Sequence, residues 1–174
     1  FNLGCTIGGY TIFPSNRVDK QMTINGSRGI NKKIKDRFDL TLECIRRFYL
    51  NEDSPLLETL SRYKDFFKLF DDFKGYVDFF LFQDLVQSNY SSINYFLPSN
   101  NFNNSPIPND IHEYKVYRKN MTEYTKNYQE RATPNQIFLD RKCPDSVGIY
   151  IIREITVCFF TFGYTWNFWS EKKF

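Results

Sequence analysis

Between Ile34 and Tyr49 the apolar residues recur at helical spacing. At about 100° per residue, Ile34, Phe38, Leu42, Ile45 and Tyr49 fall within about 80° of one another. Thr41, Cys44 and Phe48 widen that face. The pattern predicts a helix from near Lys32 to near Leu50. Lys35, Asp36, Asp39, Glu43, Arg46 and Arg47 take the other side. Glu43 stands three and four residues before Arg46 and Arg47, the spacing at which helical side chains meet. Acids at the start and arginines at the end suit the helix dipole.

Three further helices follow. Leu56, Leu60, Tyr63, Phe67 and Phe70 mark one from about Pro55 to Phe73. Ser54 is suited to cap it, Pro55 to open it and Glu58 to complete a capping box. Gly75 breaks the path. Tyr76 to Val86 is nearly all apolar and reads as a buried helix. Asn109 caps a fourth, from Asp110 to about Arg131, where Pro134 ends the helical pattern. Its apolar marks are Ile111, Tyr114, Tyr117, Met121 and Tyr124, with Lys115, Arg118, Lys119 and Lys126 outward.

Strands are short. Gly8 to Phe13 reads as one, stopped by Pro14, and Met22 to Ile24 as its partner. Ile149–Ile152 and Ile155–Phe160 read as strands in the tail, where β-branched and aromatic residues concentrate. Ser88 to Pro108, rich in Asn, Ser and Pro, is a long loop. The fold class is therefore mainly α with a small β component: a bundle of about four helices, with short strands near the N-terminus and in the C-terminal tail. Residues 1–131 form one helical domain, and residues 132–174 an aromatic-rich tail.

The 174 residues allow one domain with a real core. With 19 Phe and 12 Tyr, aromatic side chains must supply most of that core, and the remainder is available to partners. A net charge of +3 falls short of a nucleic-acid binder's basic footprint. Cys5, Cys44, Cys143 and Cys158 form no C-x-x-C pair, and His112 is the only histidine. This predicts no metal site, no cofactor and reduced thiols in a cytoplasm. No stretch reaches the roughly 20 apolar residues of a membrane span.

The charged side of the central helix has two readings. In one it is a solvated face of weak ion pairs. In the other it walls a pocket opposite Arg28, carried on the Asn25–Gly29 turn. There Arg28, Arg37, Arg46 and Arg47 are the ligand-binding candidates, because guanidinium forks suit phosphate and carboxylate. Asp39 and Glu43 are the catalytic candidates, provided burial raises a carboxyl pKa.

Thr6 to about Asn127 resembles an uncharacterised family of bacterial proteins known only as a domain of unknown function. The words that carry the resemblance are TIGGYTIFPSNRVD, MTINGSRG, DRFDLTLECIRRFYL, SPLLETLSRYKDFFKLFDDFKGYVDFFLFQDLV, SSINYFLP and SPIPNDIHEYKVYRKN. The resemblance implies an intracellular protein and the C-terminal portion of a longer chain. It carries no activity and no catalytic residue. The family continues with basic, helical sequence where Arg131 to Phe174 turns aromatic; real divergence and a reading-frame or sequence error both account for this.

Two functions fit these residues. One is an intracellular protein-interaction module, binding a protein partner or a second copy of itself. The other is a protein or enzyme that binds a nucleotide, RNA or another phosphate-bearing ligand through the Arg/Asp/Glu cluster.

Overall fold

The computed structural model describes residues 11–98, 102–140, 157–161 and 164–165. The protein is mainly helical with a small β component. β1 is Thr11–Pro14. The expected strand at Met22–Ile24 is instead the start of α1, Ile24–Ile30. The Thr23 hydroxyl accepts from the Gly26 N–H at 3.1 Å and caps the helix.

Lys35 and Asp36 adopt left-handed backbone conformations, φ 47° and 64°. A helix cannot pass through them. The central helix α2 therefore spans Phe38–Tyr49 and starts later than the periodicity predicts. It stops where expected. Asn51 is left-handed at φ 57°, and the Glu52 N–H closes on the Arg47 carbonyl at 2.8 Å.

The expected Pro55–Phe73 helix is divided into α3, Leu57–Arg62, and α4, Lys64–Phe67, with a 3-10 turn at Lys68–Phe70. The division falls at Tyr63, whose hydroxyl donates to the Asn16 carbonyl at 2.8 Å. Leu56 rather than Ser54 holds the cap position of α3. The chain reverses at Asp71, φ 60°, and Asp72 caps α5, Phe73–Phe79, by accepting from the Gly75 N–H at 2.7 Å. Gly75 thus lies inside a helix rather than breaking one. A Cβ there would overlap the Phe70 carbonyl oxygen, so close approach is what demands glycine. Leu81, at φ 60°, then cuts short the helix expected up to Val86.

α6 runs Ile111–Asp140, continuing past Pro134. Asp110 rather than Asn109 caps its start: the Glu113 N–H donates to the Asp110 carboxylate, and the Asn109 N–H donates to the Glu113 carboxylate. Tyr117, Met121, Tyr124 and Tyr128 pack on the core, whereas Ile111 and Tyr114 are exposed. The apolar stripe is longer than the surface it covers.

β1 pairs antiparallel with β2, Val157–Thr161, with Thr11 opposite Phe160, and β3, Tyr164–Thr165, lies beside β2. The expected strands at Gly8–Gly9–Tyr10 and Ile149–Ile152 lie outside the described residues.

The core gathers on α2. Leu40, Leu42, Cys44 and Ile45 are fully buried, as are Ile24, Ile34, Leu60, Tyr76 and Val77. The long loop is packed rather than free: Val86 bridges Ile93, and Phe96, Leu97 and Phe102 are buried. Asn120 on α6 ties it down by donating to the Phe96 carbonyl at 2.9 Å.

Candidate functional site

Every residue from Phe38 to Ile45 is buried. The charged side of α2 is therefore not a solvated face. Asp39 is 0% exposed, Arg37 3% and Glu43 3%. Periodicity located the charges correctly but could not see the loop and α6 closing over them.

Two networks hold these charges. In the first, Arg37 grips both oxygens of Asp39, with Nε at 3.0 Å from Oδ1. The Phe96 N–H donates to the same carboxylate at 2.8 Å. Arg37 also donates to the Pro106 carbonyl at 3.1 Å and lies 5.5 Å from the Tyr117 ring centroid. Arg28 joins through Thr41: its Nε donates to the Thr41 hydroxyl at 2.9 Å, which donates to the Arg37 carbonyl at 2.8 Å. Asp36 pairs with Arg28 at 2.6 Å and also supplies its carbonyl. Burial pulls the Arg28 pKa down and Asp36 opposes it.

In the second network Glu43 bridges Arg46 and Arg47, at 2.8 and 2.7 Å. These hydrogen bonds push both arginine pKa values up. Arg47 also donates to the Asp53 carbonyl and covers the Phe102 ring at 4.9 Å. The structure thus brings Arg28, Arg37 and Asp39 into one group and Glu43, Arg46 and Arg47 into another. Both are engaged by protein partners that tie α1, α2 and the 88–108 loop together.

Tyr95 and Tyr117 flank the networks, and burial pushes both phenols up to about 12. A folded-state pKa above the usual value of about 10 means the unfolded chain ionises first as pH rises. Stability is therefore kept below about pH 10 and falls between there and about 12. Urea titrations at rising pH, followed by phenolate absorbance, are expected to show the unfolding midpoint dropping across that window. A flat midpoint would place these phenols in solvent.

Two surface depressions lie elsewhere. One, on the outer face of α6, is lined by Lys115, Arg118, Lys119, Thr122, Glu123 and Lys126. The other, of about 500 Å³, lies where the loop before α1 meets α1 and α3; Arg17, Lys20, Ser27, Glu58, Thr59 and Arg62 line it, with Gln21 and Met22. None of the six sequence-selected residues lines either. The second depression went unnoticed in the sequence because its cations sit in segments with no shared periodicity. Among the described residues, no three His, Cys, Asp or Glu side chains converge in a way that could hold a metal ion.

A different surface was also hidden. Phe66, Phe70, Phe79 and Phe80 form a run of touching rings: Phe66 to Phe70 at 5.3 Å, Phe70 to Phe79 at 5.1 Å and Phe79 to Phe80 at 5.0 Å. The run starts at the buried Tyr76 ring and surfaces at Phe79, 55% exposed, with Leu69 60% exposed on the same 66–80 segment. The sequence reading placed Phe79 and Phe80 in a buried helix and did not single out Phe66 or Leu69.

No helix among the described residues is long and apolar enough to cross a membrane. No curated protein and no solved structure matches the chain. The model of a family of unknown function, DUF6994, matches residues 1–132. The central helix, its buried charges and the aromatic run all fall within that match, and the chain belongs to this family.

Proposed function

We propose that this chain is a non-catalytic protein-interaction module of a bacterial cytoplasm, docking through the aromatic shelf of Phe66, Leu69, Phe70, Phe79 and Phe80. The observation that carries this reading is the outward end of the shelf. Phe79 and Leu69 stay exposed although their neighbours are anchored in the core. Rigid aromatic groups on a firm base lose little entropy on binding, and such residues dominate interface energetics. Asp65, Lys68, Asp71 and Lys74 are exposed along the 65–80 stretch and provide the polar rim typical of interfaces. The catalytic alternative draws no support from Asp39 and Glu43, whose oxygens are occupied by arginines and a backbone N–H. A cytoplasmic setting is supported by Cys44, a free thiol buried on α2 whose pKa burial raises to about 12.

The test is a Leu69→Asp, Phe79→Asp double variant, compared with Ile30→Asp, another exposed apolar site. Both are expected to keep the wild-type melting temperature within about 0.5 kcal/mol equivalent, as surface changes do. The double variant should lose co-purification of the wild-type partner, or its own dimer in sedimentation. Each anchor contributes about 2 kcal/mol, roughly a thirtyfold loss in affinity. Equal binding by all three proteins would remove the shelf from consideration.

A further inference from the structure

We propose that the depression between the loop preceding α1, α1 itself and α3 binds a small phosphate-bearing anion. The proposal does not rest on the aromatic shelf, which lies on other elements.

Two cations there are uncommitted. Arg17 and Lys20 are exposed and make no ion pair among the described residues. Asp19 and Lys20 both take left-handed backbone conformations, φ 52° and 58°, and the Gln21 N–H returns to the Val18 carbonyl at 3.0 Å. This tight turn places Lys20 on the rim of the depression instead of letting the loop run past it.

The third cation is built into the wall. Arg62 donates to the Met22 carbonyl and the Thr59 hydroxyl, each at 3.3 Å, and pairs with Glu58 at 3.2 Å. Its Nε is buried and has no hydrogen-bond partner among the described residues. The Thr59 hydroxyl donates in turn to Ser27 Oγ at 3.2 Å. This relay leaves the Ser27 O–H as a donor with no acceptor among the described residues.

The lining is therefore rich in donors and carries an excess of positive charge. Glu58, the one carboxylate among the lining residues, is taken up by Arg62 and is itself 86% exposed. A phosphate monoester, with acceptor oxygens and up to two negative charges, matches that donor set. A space of about 500 Å³ also leaves room for a small organic group on the phosphate. The basic face of α6 is a weaker candidate, because its lining comes from a single convex helix.

The experiment titrates the full chain with inorganic phosphate, then with a nucleoside monophosphate, against sodium chloride at matched ionic strength. A third arm uses vesicles carrying a phosphoinositide. Amide NMR and calorimetry supply the readouts. Saturable shifts at Lys20, Ser27 and Thr59 are expected with the phosphate probes and not with chloride. Binding in the soluble arms identifies a free phosphate ligand; binding to vesicles alone identifies a lipid headgroup. An Arg17→Ala, Lys20→Ala double variant should bind about tenfold or more weakly, with an unchanged melting temperature in the absence of phosphate. Glu58→Gln should bind several-fold more tightly, because it frees the Arg62 charge; a purely structural role for these residues would not produce that gain. Chloride acting like phosphate, or indifference of binding to both variants, would overturn the proposal. The Leu69→Asp, Phe79→Asp variant should bind phosphate as wild type does, so the two proposals fail independently.

Discussion

Replacing Asp39 with Ala is expected to cost the protein about 3–5 kcal/mol of stability, most of it from the guanidinium left behind. Arg37 is 3% exposed, and Asp39 supplies its only countercharge within 4 Å among the described residues. With Asp39 gone, Arg37 keeps the Pro106 carbonyl and the Tyr117 ring, neither of which carries a charge. The Phe96 N–H loses its acceptor in the same step. Against a total stability of about 5–15 kcal/mol this is a large fraction, and the melting temperature should drop by roughly 10 °C or more. An Arg37→Met, Asp39→Leu double variant removes both charges and should recover part of the loss. Asp65→Ala, which breaks an exposed pair with Lys68, should change stability by less than about 1 kcal/mol. Thermal unfolding of these variants checks the ranking. A mild Asp39→Ala, or a double variant worse than the single, would mean that the Arg37 site is wetter than its burial implies.

At Tyr76 the ring and the hydroxyl should separate cleanly. The side chain is 0% exposed, and its ring lies within 6.5 Å of Tyr49, Phe67, Phe70, Phe80 and Phe82. Tyr76→Ala removes the hub of that cluster and leaves a cavity, at a cost of about 3–5 kcal/mol. The Tyr76 hydroxyl is buried and has no hydrogen-bond partner among the described residues. A buried polar group without a partner carries its desolvation cost unrepaid. Tyr76→Phe should therefore leave stability unchanged or raise it by about 1 kcal/mol. Urea denaturation of the two variants decides the matter. A Phe variant as damaged as the Ala variant would show that the hydroxyl is bonded after all.

The two residues differ in how far the sequence anticipates them. Tyr76 stands in a nearly continuous apolar run, so its burial was legible. Its place as a hub was not, because Phe67 and Phe70 reach it from before the left-handed turn at Asp71 and Phe82 from beyond the one at Leu81. Asp39 was legible only as one charge on the outer side of an amphipathic helix. That side is covered by Phe96, Pro106 and Tyr117, which lie far along the chain. The lining of the Arg17–Arg62 depression is scattered in the same way: each residue is ordinary in its own segment.

Short-range order belongs to the sequence alone. Apolar spacing and β-branched clusters established a mainly helical chain with a small β component. They also placed α2 and α6 and the stop at Asn51, because those features depend on residues within a few positions of one another. The tertiary structure alone decided which charges are inside. Burial depends on what the rest of the chain lays over a helix face, and no local pattern encodes that. Asp39 and Glu43 therefore serve as internal ties, while Phe79, read as part of a buried helix, reaches the surface.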